Sequence, residues 1–175
     1  MSYFDAAIEI NSKYAEAFNY KGAAYIQLGD FKDALTYIET AIQIKPDYKD
    51  AYLNKGTALF SMAKFADALE EYSKTIKLDN NYAEGYFNIG SCYMMLPDSK
   101  KEAVNSFTSA IMISPYYSAA YYNRACAYIS MREQDSCLKD LETAVQIDKS
   151  FKQMLKFDND FAPLKDNKRF KEIIA

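Results

Sequence analysis

The sequence predicts an all-α solenoid built from antiparallel helix pairs. The main observation is a repeat: Asn54, Asn88 and Asn123 follow one another at intervals of 34 and 35 residues, each inside an apolar stretch typical of a helix. Each interval holds two segments of about 14 residues with apolar side chains at helical spacing. Five Gly and four Pro in 175 residues are too few for a turn-rich β fold. A pair of closely connected helices is therefore the repeating unit.

The period divides the chain into four complete units with a different element at each end. The complete units are residues 15–48, 49–82, 83–117 and 118–151. Residues 1–14 match the closing helix of a partial unit, and residues 152–175 match a C-terminal cap that covers the last helix pair. The third unit has one extra residue, which falls in the loop around Pro97, where insertions cost little free energy.

Three glycines indicate where the helices of a pair come closest. Gly22, Gly56 and Gly90 recur at one repeat position, although glycine costs a helix about 1 kcal/mol relative to alanine. We expect a bulky side chain from the facing helix to fill the space beside each of them.

Turn residues predict two helix boundaries. Gly29 and Asp30 are expected to end one helix and begin the next, since glycine suits a helix C-terminus and aspartate an N-cap. In the third unit, Ser99 and Glu102 have the spacing of a capping box.

The repeated positions resemble the pattern of tetratricopeptide repeats, which is an aromatic residue, Leu-Gly, Tyr, Ala, Phe, Ala and Pro at fixed offsets. The third unit carries this pattern at Tyr86, Ile89, Gly90, Tyr93, Ala103, Phe107, Ala110 and Pro115. The fourth unit departs from it, with Ala125 in place of glycine. The resemblance covers residues 15–151 and implies a right-handed superhelix that binds partners in a concave groove.

The tail resembles the segment that closes many bacterial arrays of this family. Phe161, Leu164, Phe170 and Ile173 are expected to fold over the last helix pair. We interpret the tail as a cap, because a terminal repeat needs a covering element to stay soluble.

The recurring asparagine is the candidate binding residue. A helix turns about 100° per residue, so Asn54 lies about 200° around from Tyr52, which shares a face with Gly56. The amide therefore points away from the partner helix. In stacked units the three amides would form a row, and each could pair with the backbone of an extended peptide. The register resembles that of peroxisomal targeting-signal receptors and O-GlcNAc transferases.

The predicted peptide-binding set adds neighbours on the same stripe. It comprises Asn54, Asn88, Asn123, Tyr20, Thr57 and Ser91. Tyr20 takes the asparagine position of the first unit, with Asn19 one place early, so the row could end there. The alternative is that asparagine is a common polar choice on an exposed face, bonded to a neighbouring helix or to water. Acidic residues along the rim favour a basic or neutral partner: Glu16, Asp50 and Glu84.

Basic residues replace the leucine of the pattern in three units: Lys21, Lys55 and Arg124. We expect their stems to lie along the helix pair while their charges reach water.

Composition excludes several classes of function. The net charge of -3 lacks the positive excess that is typical of nucleic-acid-binding proteins. No apolar run is long enough to span a membrane. Histidine is absent, which removes Ser-His and Cys-His catalysis and the commonest zinc ligand. We expect no enzyme activity, cofactor or metal site. Cys92, Cys126 and Cys137 suggest reduced thiols, and a cytoplasmic location is the default expectation.

Three hypotheses follow for the function. The first is a non-enzymatic module that binds a partner protein or peptide through the asparagines. The second is a self-associating scaffold, possible as a homodimer, in which the open partial repeat uses Phe4, Ile8 and Ile10. The third is a regulatory arm of a larger enzyme.

Overall fold

The computed structural model describes residues 2–175, which form α-helices and one short 3₁₀ helix. No strand occurs in this range, so the predicted all-α class is confirmed. The chain divides into two compact units, residues 1–81 and 82–175. Each is described separately below.

The described part of the first unit contains five helices: α1 (Ser2–Ile10), α2 (Ala15–Leu28), α3 (Phe31–Ile44), α4 (Lys49–Ser61) and α5 (Phe65–Leu78). Helix α2 packs against α3 and α4 packs against α5, while α3 also contacts α4. Because only short turns join the partners, each pair is antiparallel. Helix α1 packs against α2.

The second unit repeats this arrangement and adds the cap. Its elements are α6 (Ala83–Met95), α7 (Lys100–Ile113), α8 (Ser118–Ser130), α9 (Gln134–Ile147), α10 (Phe151–Phe157), the 3₁₀ helix (Asn159–Leu164) and α11 (Lys168–Ile174). Helix α6 packs against α7, and α8 packs against α9. The 3₁₀ helix contacts α8, and both α10 and α11 contact α9.

The three glycines lie where the predicted bulky side chains approach. A Cβ atom built on Gly22, Gly56 or Gly90 would lie 2.4, 2.5 or 2.6 Å from the side chain of Ile38, Tyr72 or Phe107, respectively. Contacts this short are repulsive, so only glycine fits beside these residues without movement. In the last repeat, Ala125 replaces glycine and the smaller Leu141 replaces the aromatic ring, and both are fully buried.

One predicted boundary is confirmed and the other is wrong. Gly29 ends α2 with a left-handed φ of 77°, and the Asp30 carboxylate accepts a hydrogen bond from the N–H of Asp33. The capping box at Ser99 does not form. Its hydroxyl instead donates to the carbonyl of Pro97 at 2.9 Å, because the preceding loop brings that acceptor within reach.

The C-terminal segment is the predicted cap. Phe161, Leu164, Phe170 and Ile173 are buried in one apolar cluster with residues of α8 and α9. This burial removes the outer face of the last helix pair from water, which is the role expected of a capping element.

Candidate functional site

The recurring asparagines lie on the first helix of successive repeats, on α4, α6 and α8. All three side chains are partly exposed. The hydrogen bonds of the three amides differ, and these differences determine what each can offer a ligand.

The amide of Asn54 is partly used inside the first unit. Its Nδ2 donates to Asn19 Oδ1 at 2.9 Å, and Asn19 Nδ2 donates to the Tyr48 hydroxyl at 3.4 Å. Asn19 is only 2% exposed. The repeat alignment leaves Asn19 out of the predicted row because it lies one position early. That position is the buried one held by Leu53 in the next repeat, which is the signal that could have placed Asn19 at a helix interface.

The second unit presents two asparagines on helices that contact each other, α6 and α8. Asn123 Nδ2 donates to the carbonyl of Ala119, one turn earlier in α8, at 2.9 Å. Among residues 2–175 there is no hydrogen-bond partner for the Asn88 amide or for the Asn123 Oδ1 atom. Asn88 therefore keeps both its donors and its acceptor, and Asn123 keeps its acceptor and one of its two N–H donors.

The predicted hydroxyl residues donate to their own helices. Thr57 Oγ1 donates to the carbonyl of Leu53 at 3.0 Å, and Ser91 Oγ donates to that of Phe87 at 3.1 Å. Such bonds to the residue four earlier are common for hydroxyls within helices. Thr57 Oγ1 also accepts from the Tyr72 hydroxyl of α5 at 3.3 Å, so part of its acceptor capacity is used within the protein. Ser91 Oγ can still accept, and it therefore adds an acceptor rather than a donor to this face.

Tyr20 contacts the N-terminal helix. Its ring stacks on Phe4 of α1 with centroids 6.2 Å apart, and 55% of the residue is exposed. Phe4 and Ile8 are partly buried, whereas Ile10 is 87% exposed. The apolar surface left on α1 is thus smaller than the three predicted residues suggest.

The three basic residues that replace the leucine of the pattern form ion pairs with carboxylates. The ammonium groups of Lys21 and Lys55 are ion-paired with Asp5 and Glu39, and Arg124 pairs with Asp140. The basic side chains are only 12%, 23% and 15% exposed, respectively. The carboxylates lie on neighbouring helices. Pairing with them lowers the free-energy cost of partly burying each basic group, because an unpaired buried charge is more costly than a paired one.

The three cysteines are buried free thiols. Burial raises the pKa of Cys92 and of Cys137 to about 12. The pKa of Cys126 is raised by burial and further by the negative charges of Asp158 and Asp160. All three are therefore protonated at neutral pH and are weak nucleophiles.

Two kinds of site are absent from residues 2–175: a metal-binding cluster and a membrane-spanning helix. Within the described chain, the Cys, Asp and Glu side chains form no group of three that could hold a metal ion. Over residues 2–175, every helix is too short or too polar to cross a lipid bilayer.

A cavity of about 590 Å³ adjoins Asn123 in the second unit. Helix α8 and the ends of α6 and α7 form part of its wall, and the cap supplies Asp158, Asp160 and Pro163. These three cap residues are absent from the predicted site, because the sequence indicates only a cover for the last helix pair. Their part in a cavity depends on how the tail folds back onto α8.

Sequence comparison identifies the repeats. Family models of the tetratricopeptide repeat match residues 15–48 and 118–151, and a model described as a TPR repeat matches residues 56–96. A 49-residue segment is 43% identical to Small glutamine-rich tetratricopeptide repeat-containing protein 2 of Saccharomyces cerevisiae. This match covers 28% of the chain and only 14% of that relative.

Solved structures with a similar fold extend over most of the chain. A crystal structure of MamA protein has a TM-score of 0.75 and 25% identity, over 91% of this chain and 90% of that one. The Thermus thermophilus protein TTC0263 has a TM-score of 0.74 and 16% identity, over 91% and 87%. YrrB, described as a TPR protein with an unusual peptide-binding site, has a TM-score of 0.68 and 24% identity, over 85% and 76%. These likenesses show the fold.

Proposed function

Because the chain belongs to the tetratricopeptide repeat family, we propose that it is a non-enzymatic interaction module that binds an extended segment of a partner protein. Asn54, Asn88 and Asn123 contact the backbone of that segment, and Tyr20, Thr57 and Ser91 lie beside it. The observation that supports this proposal most directly is the unused hydrogen-bonding capacity of the partly exposed asparagines.

The three amides contribute unequally. Asn88 offers both donor and acceptor, so it can bond an N–H and a C=O of one extended peptide. Asn54 and Asn123 each use one donor within the protein and offer chiefly their Oδ1 atoms to a peptide N–H. We therefore expect Asn88 to contribute the most to binding. That a structure of this fold, YrrB, is described as having a peptide-binding site supports the same class of function.

Affinity capture with mass spectrometry tests this proposal. The full chain and the triple variant Asn54→Ala, Asn88→Ala, Asn123→Ala serve as baits in the same lysate. Each lost hydrogen bond to the peptide should cost about 1 kcal/mol of binding free energy, so the triple variant should capture less of the partner. Its circular dichroism signal should stay helical. The matched control is Asn105→Ala, an exposed asparagine on α7 in the second unit. Equal capture by all three baits would contradict the proposal.

Self-association through α1 is the second candidate, and the exposure of Ile10 favours it. Ile10 is 87% exposed and the nearby Tyr3 is 88% exposed, so α1 presents apolar surface. In a dimer of this kind, the parts of Phe4 and Ile8 that remain exposed would belong to the interface. Light scattering over a concentration series should then show a dimer that Ile10→Lys abolishes. A monomer at every concentration would exclude this candidate.

A further inference from the structure

The cavity beside Asn123 combines an apolar wall with an acidic rim. Met94, Cys126 and Ile129 contribute apolar surface, whereas Asp158 and Asp160 enter from the cap. The volume of about 590 Å³ is that of a small-ligand pocket, larger than one amino-acid side chain needs.

The polar groups of the cavity use most of their donors within the protein and keep their acceptors. Asn123 Nδ2 donates to the carbonyl of Ala119, the Tyr122 hydroxyl donates to Asp158, and the Ser130 hydroxyl donates to a carbonyl of its own helix at 2.7 Å. The oxygens of all three side chains can still accept. Apart from the second N–H of Asn123, these groups present acceptors, so a ligand that completes them brings mainly donors.

The two carboxylates differ in how firmly they are held. Asp158 accepts hydrogen bonds from Tyr122 and from the backbone N–H of Asp160, so its orientation is set by the fold. The Asp160 side chain is exposed, and among residues 2–175 it has neither a hydrogen-bond nor an ion-pair partner. It is thus an available negative charge at the cavity.

One cation also lines the cavity. Lys100 donates to the carbonyl of Met94 at the end of α6. Its single charge is outnumbered by Asp158 and Asp160, which leaves the cavity with a net formal charge of -1. The raised pKa of the Cys126 thiol, due to burial and then to these two carboxylates, reports the same negative field at the apolar wall.

We propose that this cavity receives a lysine or arginine side chain of the bound partner segment. The alkyl stem packs on Met94, Cys126 and Ile129, and the cationic end donates to Asp160 and to Asn123 Oδ1. Because Asn123 also belongs to the proposed backbone contacts, this inference rests on the proposed function and adds a preference for a basic residue.

Alkyl fragments test the cavity without knowledge of the partner. The ¹⁵N-labelled full chain is titrated with n-butylguanidinium, n-butylammonium, n-butylurea and n-butylsulfonate, and backbone amide shifts are followed at Asn123, Cys126 and Asp160. One or both cations should give saturable shifts there, and their ranking distinguishes arginine from lysine. Shifts that are absent, or as strong with the urea or the sulfonate, would overturn the proposal.

A charge-neutralising variant supplies the matched control. Asp160→Asn should weaken binding of the cation about threefold to tenfold, in keeping with the loss of one partly solvated ion pair. Asp166→Asn makes the same change at a fully exposed cap residue outside the cavity and should leave the affinity unchanged. Equal affinity in Asp160→Asn and the parent chain would count against the site. The titration reports on the cavity alone, whereas the asparagine variants report on partner capture, so the two proposals can fail separately.

Discussion

The second and fourth repeats place a basic residue at the same position and neutralise it differently. In the fourth repeat, Arg124 Nε and Nη2 donate to the two oxygens of Asp140 at 2.7 and 2.8 Å, and Nη1 donates to Thr108 at 2.8 Å. In the second, the Lys55 ammonium lies 3.0 Å from a Glu39 oxygen and 3.7 Å from Glu71 Oε1. The Glu71 Oε2 atom is buried, and within the described chain it has no hydrogen-bond partner.

The difference follows from the geometry of the two cations. A guanidinium presents its N–H groups as a planar fork that matches both oxygens of a carboxylate, while an ammonium is a point charge. The fork saturates Asp140, which is only 4% exposed. Lysine leaves Glu71 half satisfied beside a cavity of about 330 Å³, although Lys74 also reaches Glu71 Oε1 at 3.1 Å. The same repeat position can thus be a saturated pair or an incomplete one.

The largest expected effect comes from removing each cation in turn. Arg124→Met leaves Asp140 buried without its partner and should lower the free energy of unfolding by about 3–5 kcal/mol. Lys55→Met should cost only about 1–2 kcal/mol, because Glu71 keeps Lys74 as a partner. Urea denaturation measures both. Adding Asp140→Ala to Arg124→Met should recover most of the loss. Equal costs for Arg124→Met and Lys55→Met would contradict the expected difference between the two ion pairs.

A second difference between these repeats is the packing of the helix pair. Gly56 faces Tyr72, whereas Ala125 and Leu141 take these positions in the fourth repeat. Gly56→Ala should destabilise the chain by about 1–3 kcal/mol through overpacking against Tyr72. The cost should be smaller when measured in a Tyr72→Leu background, which copies the fourth repeat. A double-mutant cycle by thermal unfolding measures the coupling, and strict additivity would show that the two residues do not compete for space.

The incomplete pair can be converted into the saturated form. Lys55→Arg should raise the free energy of unfolding by about 1 kcal/mol, because a second N–H can reach the unpaired Glu71 oxygen. Lys45→Arg is the control, since Lys45 pairs with Glu16 at the surface with 45% of its side chain exposed. The control should change stability by less than about 0.5 kcal/mol. A gain no larger than that of Lys45→Arg would mean that the free oxygen of Glu71 is not a source of instability.

A third ion pair tests whether burial determines how much an arginine–carboxylate pair contributes to stability. Its expected contribution is the smallest of the three. Arg169 forms two bonds to Glu142 at 2.5 and 2.6 Å, but 42% of its side chain is exposed. The hydrogen bonds from Arg169 lower the pKa of Glu142 below its ordinary value of 4.5. The pair therefore stabilises the folded chain above pH 4.5 and loses this contribution as the pH falls further.

Stability measured from pH 6 to pH 3 checks this expectation. Glu142→Gln should remove less than about 1 kcal/mol at pH 6 and still less at pH 3, so its pH profile is flatter than that of the parent chain. A loss of stability at pH 6 as large as that of Arg124→Met would mean that solvent exposure does not explain the difference in stability between the two arginine pairs.

The fold could be predicted because its signals lie close together in the sequence. The apolar stripes, the recurring glycines and the Gly29-Asp30 turn are read within one helix pair or compared at a constant period. The role of Asn19 could not be predicted, because a repeat alignment places it one position away from the asparagine row, while its hydrogen bond to Asn54 joins two different repeats.

The ion pairs of the basic residues could not be predicted for a related reason. Arg124 and Asp140 are 16 residues apart, as are Lys55 and Glu71, so the sequence contains a common separation that is compatible with pairing. Helical phase alone could not choose between a carboxylate and water as the partner of a long side chain. The asparagine site has the same difficulty, since phase predicts which face an amide lies on and not which of its atoms are already bonded.

By itself, the sequence determined the helix pair, its repetition and the small-to-large matches, because periodicity and side-chain size are properties of the residues in order. The tertiary structure decided which polar atoms are paired. It placed Asn54 on Asn19, gave the Asn88 amide no partner among residues 2–175, and brought Asp158 and Asp160 of the cap to the cavity beside Asn123. A hydrogen bond forms only when two groups come within about 3 Å, and several chemically equivalent partners compete for each group until the fold fixes those distances.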